Sequence, residues 1–142
     1  MEVRCVRAAV GLAVIGAIVA CANASSDDSG DALIGTHWQL ETLGTTAVLE
    51  SARPTLEFAA GRVTGSGACN RFNGAVTVSG KSITFGALAT TRMACGDDVN
   101  RQEAAYLKAL AQAQWFLVQG ASLTIYTSAM DMPLVFVRSE SK

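Results

Sequence analysis

Gly65-Ser66-Gly67-Ala68-Cys69-Asn70-Arg71-Phe72-Asn73-Gly74, with its downstream companion Thr90-Thr91-Arg92-Met93-Ala94-Cys95, is the part of this 142-residue chain from which the fold is read. Gly65, Gly67 and Gly74 open backbone angles closed to other residues, and Asn70 and Asn73 tolerate left-handed conformations while hydrogen-bonding nearby backbone. The first segment therefore reads as a tight, structured turn system between strands. Cys69 and Cys95 are the only thiols in the body of the chain. If the protein is exported, they are natural disulfide partners.

Outward from these segments, the pattern is that of short strands. Trp38, Leu40 and Thr42 alternate with His37, Gln39 and Glu41, which predicts one buried and one wet face at period two. Leu56 and Phe58 alternate with Thr55 and Glu57 in the same way after Pro54. Ala60-Gly61 and Ser79-Gly80-Lys81 read as hairpin turns, leading into Arg62 to Gly65 and joining Ala75–Val78 to Ser82–Phe85. One helix is predicted from Val99 to about Ala113, with Asn100 and Glu103 as a capping box and Asp97 and Asp98 as further caps that complement its dipole. Its apolar face is read as Tyr106, Leu107, Leu110 and Ala113 or Gln114. Strands over Gln114–Val118, Ser122–Tyr126 and Pro133–Arg138 complete the chain. The expected class is α+β, with a mainly antiparallel, small barrel-like sheet and one α-helix packed against it.

The amino-terminal part has a different composition. Arg4 and Arg7 precede an uncharged run, Ala8 to Ala22, of 15 residues. That is short for a membrane span of about 20 residues and suits the core of a signal peptide. The run ends in Ile18-Val19-Ala20-Cys21, which fits a bacterial lipobox. The thiol of Cys21 would receive diacylglycerol, the peptide would be cut before it, and the new amino terminus would be acylated, with palmitate as an expected acyl chain. Ordinary cleavage nearby is the first competing reading, since Ala20-Cys21-Ala22 also has the A-x-A form, and an uncleaved anchor is the third. Residues 1–20 are thus read as signal peptide, 21–33 as lipidated cysteine and polar, acidic tether, and 34–139 as the domain. Eleven flexible residues from Ala22 to Ala32 would reach about 18 Å.

The whole chain has 11 basic and 12 acidic residues. Removing Glu2, Arg4 and Arg7 leaves 9 and 11, a net charge of −2, with no basic or aromatic-basic patch to hold nucleic acid. Cleavage at Cys21 also removes Cys5, so one thiol is lipidated and two remain to pair.

At these motifs the chain resembles the META domain, a family that includes the bacterial heat-inducible lipoprotein HslJ and secreted or surface proteins of trypanosomatids. The resemblance is carried by Trp38-Gln39-Leu40, Pro54-Thr55-Leu56-Glu57-Phe58, and the Gly65 to Gly74 stretch, with Ala68 where glycine is common. Thr91-Arg92-Met93-Ala94-Cys95, Gln102-Glu103 and the terminal strand pair extend it over roughly residues 35 to 138. It implies a role in envelope integrity or stress tolerance and, for the HslJ-like members, an association with heat response and resistance to novobiocin. The mechanism expected here is non-catalytic, a rigid disulfide-bonded domain binding a protein or envelope component. The expected protein is a monomer, lipid-anchored in the cell envelope and facing periplasm or cell exterior. In a diderm, Ala22 after the modified cysteine suits outer-membrane sorting.

The residues that could carry chemistry are few. A disulfide, a redox pair and reduced core thiols are the three readings of Cys69 and Cys95; neither a Cys-x-x-Cys nor a set of four metal ligands is present. His37, the only histidine, falls on the wet face of the first strand away from any nucleophile motif. Arg71 and Arg92 could converge on an anion, or hold backbone carbonyls, or pair with Glu57 or Glu103. Met93, Met130 and Met132 could form an adaptable surface or fill the core. Gly67, Asn70, Arg71, Phe72, Gly74, Thr91, Arg92 and Met93 are the candidate binding residues, and no catalytic residue, metal ligand or cofactor is expected. A carrier of small hydrophobic ligands would need an open barrel interior, and an enzyme or thiol-redox protein a pocket gathering Arg71, Arg92, His37 or Asp97-Asp98.

Overall fold

The computed structural model describes residues 30–129 and 132–140. The expectations for the signal peptide, Cys21, the lipobox, most of the tether and Met130 lie outside the described residues.

The strands are β1 (His37–Leu43), β2 (Thr46–Ala47), β3 (Thr55–Ala59), β4 (Arg62–Ser66), β5 (Arg71–Ser79), β6 (Ser82–Phe85) and β7 (Ala89–Thr90), then, after helix α1 (Asp97–Ala111), β8 (Ala113–Gln119), β9 (Ser122–Thr127) and β10 (Leu134–Ser139). Every pairing is antiparallel, in the order β10-β9-β8-β6-β5-β4-β3-β1. Pairing of β1 with β10, from His37 opposite Ser139 to Leu43 opposite Leu134, closes these eight strands into a barrel. The short strands β2 and β7 add to β1 and β5. Closure removes both long sheet edges, which would otherwise offer unpaired backbone groups to other chains.

Alternation along the strands fills the interior. Trp38, Leu40, Leu56, Val63, Ile83, Leu123, Ile125, Leu134 and Phe136 are fully buried. The aromatic rings meet edge to face, Phe72 with Tyr106 at 6.0 Å and Tyr106 with Phe136 at 6.3 Å. Helix α1 lies over one end of the barrel and inserts Tyr106, Ala109 and Leu110. The Tyr106 hydroxyl donates to the Thr55 carbonyl at 3.1 Å, and burial pushes its ionisation well above the ordinary tyrosine value.

Several sequence expectations are corrected. The tether does not reach residue 33: Gly30–Ala32 forms a short 3-10 turn and Leu33 is buried in the core at the opposite end of the barrel from α1. Thr42 does not continue the buried face of β1, because a register shift between Leu40 and Thr42 changes the phase and buries Leu43. The helix begins two residues early, with Gly96 as N-cap and no side-chain cap bond. Asp97 and Asp98 are in its first turn and Asn100 is inside it, donating back to the Cys95 carbonyl at 3.0 Å, so there is no capping box. Strand β5 begins at Arg71, four residues before the expected strand, since β7 pairs with Phe72 and Asn73.

Candidate functional site: the clamped motif loops

The two motif segments meet at the helix-covered end of the barrel. Strand β4 ends at Ser66, whose amide donates to Thr55 Oγ1 at 3.0 Å, and Gly67 to Asn70 reverse the chain into β5. Gly67 has to be glycine for reasons of space: a Cβ there would stand 2.6 Å from the Glu103 Cγ. Ala68 has φ +99°, a conformation that L-residues with a side chain rarely adopt.

Glu103, on the buried face of α1, receives this turn. Its Oε2 accepts the backbone amides of Cys69 at 2.9 Å and Asn70 at 2.6 Å, and its Oε1 accepts Asn70 Nδ2 at 2.7 Å. Three donors thus compensate a carboxylate that is 8% exposed. Asn70 passes the connection on: its Oδ1 accepts the Met93 amide at 2.6 Å and the Thr91 hydroxyl at 3.0 Å. Thr91 Oγ1 in turn accepts the Arg71 amide at 3.1 Å. Cys69 and Cys95 are disulfide-bonded, with Cα atoms 6.0 Å apart. Beside Glu103, Gln102 spans a third loop, its Oε1 accepting the Leu49 amide at 2.7 Å and its Nε2 donating to the Ala52 carbonyl at 2.6 Å. Among the described residues, no buried side-chain polar atom lacks a partner.

Geometry sorts the candidate binding residues into two groups. Gly67, Asn70, Phe72 and Thr91 are occupied in building the clamp or the core, and a Cβ on Gly74 would stand 2.7 Å from Leu88. Arg71, Arg92 and Met93 face solvent, Met93 at 62% exposure. The expected pairing of the arginines with Glu57 or Glu103 does not form: Glu57 faces His37, with 3.5 Å between Oε2 and Nδ1, and Glu103 is taken up by amides. Among the described residues neither guanidinium has an ion-pair or hydrogen-bond partner. Met132 packs against the core instead of joining Met93.

The groups that chemistry would need are dispersed. His37 lies on the outer wall of β1 beside Glu57, whereas Asp97 and Asp98 begin α1, where Asp98 pairs with Arg101. Among the described residues no three His, Cys, Asp or Glu side chains converge as metal ligands. Clefts of 700, 420, 410, 320 and 300 Å³ indent the surface. The 700 Å³ cleft is bordered by His37, Trp38, Thr55 and Glu57 but by none of Arg71, Arg92, Asp97 and Asp98. The fully buried interior residues Leu40, Val63, Ile83 and Phe136 line none of the five.

Glu103 is the functional residue that local reasoning misassigned. Its signal was its phase: Glu103, Tyr106 and Leu110 share one helical face, and an acid within an apolar stripe requires a buried partner.

The sequence profile of the META domain matches residues 31–141. No curated protein matches. Among solved structures, the chain is similar to a protein from Burkholderia xenovorans determined by NMR, with TM-score 0.65 and 28% identity over 78% of this chain and 86% of that one. A second NMR structure gives TM-score 0.62 at 24% identity, covering 75% of this chain and 92% of the other. A crystal structure of a DUF4847 family protein from Bacteroides vulgatus has the same fold, with TM-score 0.56, 11% identity and coverage of 79% and 98%.

Proposed function

The chain belongs to the META domain family, and from that premise we propose that it is an exported lipoprotein, anchored through Cys21, whose domain binds a protein or another component of the cell envelope without catalysis. In this role it contributes to envelope integrity and to stress or antibiotic tolerance. The observation that carries the reading is the Cys69–Cys95 bond across the two motif loops. Structural disulfides persist in oxidising compartments, and this one holds a surface loop in a fixed shape. That loop presents Met93 between Arg92 and the clamp, with Arg71 on the neighbouring strand. An adaptable apolar side chain flanked by guanidinium groups suits a partner with an apolar contact and carboxylate or phosphate groups around it.

Intact mass of the native, membrane-extracted protein, before and after reduction and alkylation, tests the proposal. A triacylated chain beginning at Cys21, with Cys69 and Cys95 alkylated only after reduction, is the expected result. An unlipidated chain with two freely alkylated thiols would overturn it and make an intracellular thiol role the hypothesis to pursue.

A further inference from the structure

The barrel end opposite α1 carries an apolar depression that no function has yet used. It is a cleft of 420 Å³ between the 3-10 turn and strands β3 to β5, lined chiefly by Leu33, Ile34, Phe58, Val76 and Val78, with Asp31 as its one charged lining residue. Ile34 is 47% exposed, a rare exposed aliphatic residue on this molecule. The segment that bears it is tied down. The Gly35 amide donates to the Phe58 carbonyl at 2.8 Å, and the Phe58 amide donates to the Thr36 carbonyl at 3.1 Å. Gly30 lies so close to Val78 that a Cβ would stand 2.7 Å from it. The chain therefore enters the domain at this end, at a defined place beside the cleft.

We infer that this end of the barrel is a lipid-contacting surface, on which Ile34 and the rim of the cleft rest against the bilayer holding the acyl chains of Cys21. The inference rests on the lipoprotein reading above. Nine residue steps separate Cys21 from Gly30, so the cleft lies no more than about 30 Å from the anchor. At that distance the acyl region beneath the headgroups is within reach, and burying an exposed isoleucine there is favourable. The opposite end, with the clamp, cannot reach the surface at the same time. Strand β5 runs from Arg71 at the clamp to Ser79 at the tether end, a rise of about 26 Å at most. Membrane contact by Ile34 thus turns Met93, Arg92 and Arg71 outward, toward partners arriving from the aqueous side. Asp31 beside the cleft favours zwitterionic over anionic headgroups.

The test separates this inference from the anchor itself. Among the described residues the core begins at Leu33, so a chain beginning at Cys21 keeps that core, and with Cys69 and Cys95 oxidised its one free thiol is Cys21. Coupling that thiol to a maleimide lipid in phosphatidylcholine nanodiscs supplies an anchor whether or not the native protein is acylated. With a spin-labelled headgroup in the bilayer, the amide signals of Ile34, Ala59, Thr77 and Val78 should broaden several-fold more than those of Met93 and Asp97. Ile34→Ser should reduce the difference and Ile34→Leu preserve it. Equal broadening at both ends, stronger broadening at Met93, or none at either would overturn the orientation. A native mass without lipid would overturn the anchor and leave the surface preference standing.

Discussion

The two ends of the barrel are closed by different physics. At the clamp end, a carboxylate, an asparagine and a disulfide hold the two motif loops while Gln102 holds a third, and most of these bonds involve a buried or half-buried polar group. At the tether end, a short turn seats one leucine in the core and leaves an isoleucine outside. The first arrangement is specific and brittle, because each polar group relies on its partner to offset desolvation. The second is apolar and tolerant. A surface that must present the same side chains to a partner is better built on the first, and one that contacts fluid lipid on the second.

Glu103→Ala is the sharpest way to break the comparison. It strands the amides of Cys69 and Asn70 and the Asn70 carboxamide, and should cost about 3–5 kcal/mol in urea unfolding of the oxidised protein. A loss below about 1 kcal/mol would mean that water replaces the carboxylate easily and that the clamp is not brittle. Removing the disulfide comes next. With 26 residues of sequence separation, Cys69→Ser and Cys95→Ser should each cost about 3.5 kcal/mol in the chain-entropy model, and the double variant little more. Clearly additive losses would show two independent thiols. At the tether end, Leu33→Ala should cost about 2–3 kcal/mol, and its effect should add to that of Cys95→Ser because the two sites share no partners.

Much of this was legible from the sequence, for local reasons. Period-two alternation identified Trp38, Leu40, Leu56 and Phe58 as buried, and helical spacing identified Tyr106 and Leu110. What was hidden depended on contacts distant in sequence. Asn100 and Glu103 have the spacing of a capping box, but Glu103 spends its oxygens on a turn more than thirty residues away. Arg71 to Gly74 look like turn residues, yet pairing with β4 and β7 makes them strand. The bulge that moves the buried face from Thr42 to Leu43 arises from pairing with β10, at the far end of the chain. Closure of the barrel by that same pairing has no local signature either.

Tyr106 ties the clamp end into the barrel core, since its ring packs on Phe72 and Phe136 while its hydroxyl meets the Thr55 carbonyl of β3. In the unfolded chain the phenol ionises at about pH 10, but burial keeps it neutral to higher pH in the fold. Unfolding above pH 10 therefore releases a proton. The stabilisation, fully present below pH 10, is lost as the pH climbs toward the raised folded value, by up to about 1.4 kcal/mol per unit. Tyr106→Phe should cost about 1 kcal/mol at neutral pH through the lost hydrogen bond. Its stability should then decline less steeply than that of the wild type between pH 10 and 11. Parallel slopes would assign the alkaline loss to other groups.

The smallest effect tests the clamp from the opposite side, by relieving it. Ala68 occupies a φ of +99°, a backbone region that favours glycine. A non-glycine residue in such a region costs about 1–2 kcal/mol, and the cost persists only because its neighbours fix it: Gly67 and Asn70 are hydrogen-bonded to each other, and Cys69 is held by Glu103 and by the disulfide. Ala68→Gly removes that strain but lets the unfolded chain gain about 0.5–1 kcal/mol of conformational entropy. The net expectation is a gain of about 0.5 kcal/mol, read as a small rise in the urea midpoint at unchanged slope. In the Glu103→Ala background the clamp no longer dictates the turn, Ala68 can relax, and the gain should vanish. A gain of equal size in both backgrounds would place the strain in the turn itself and not in the clamp that holds it.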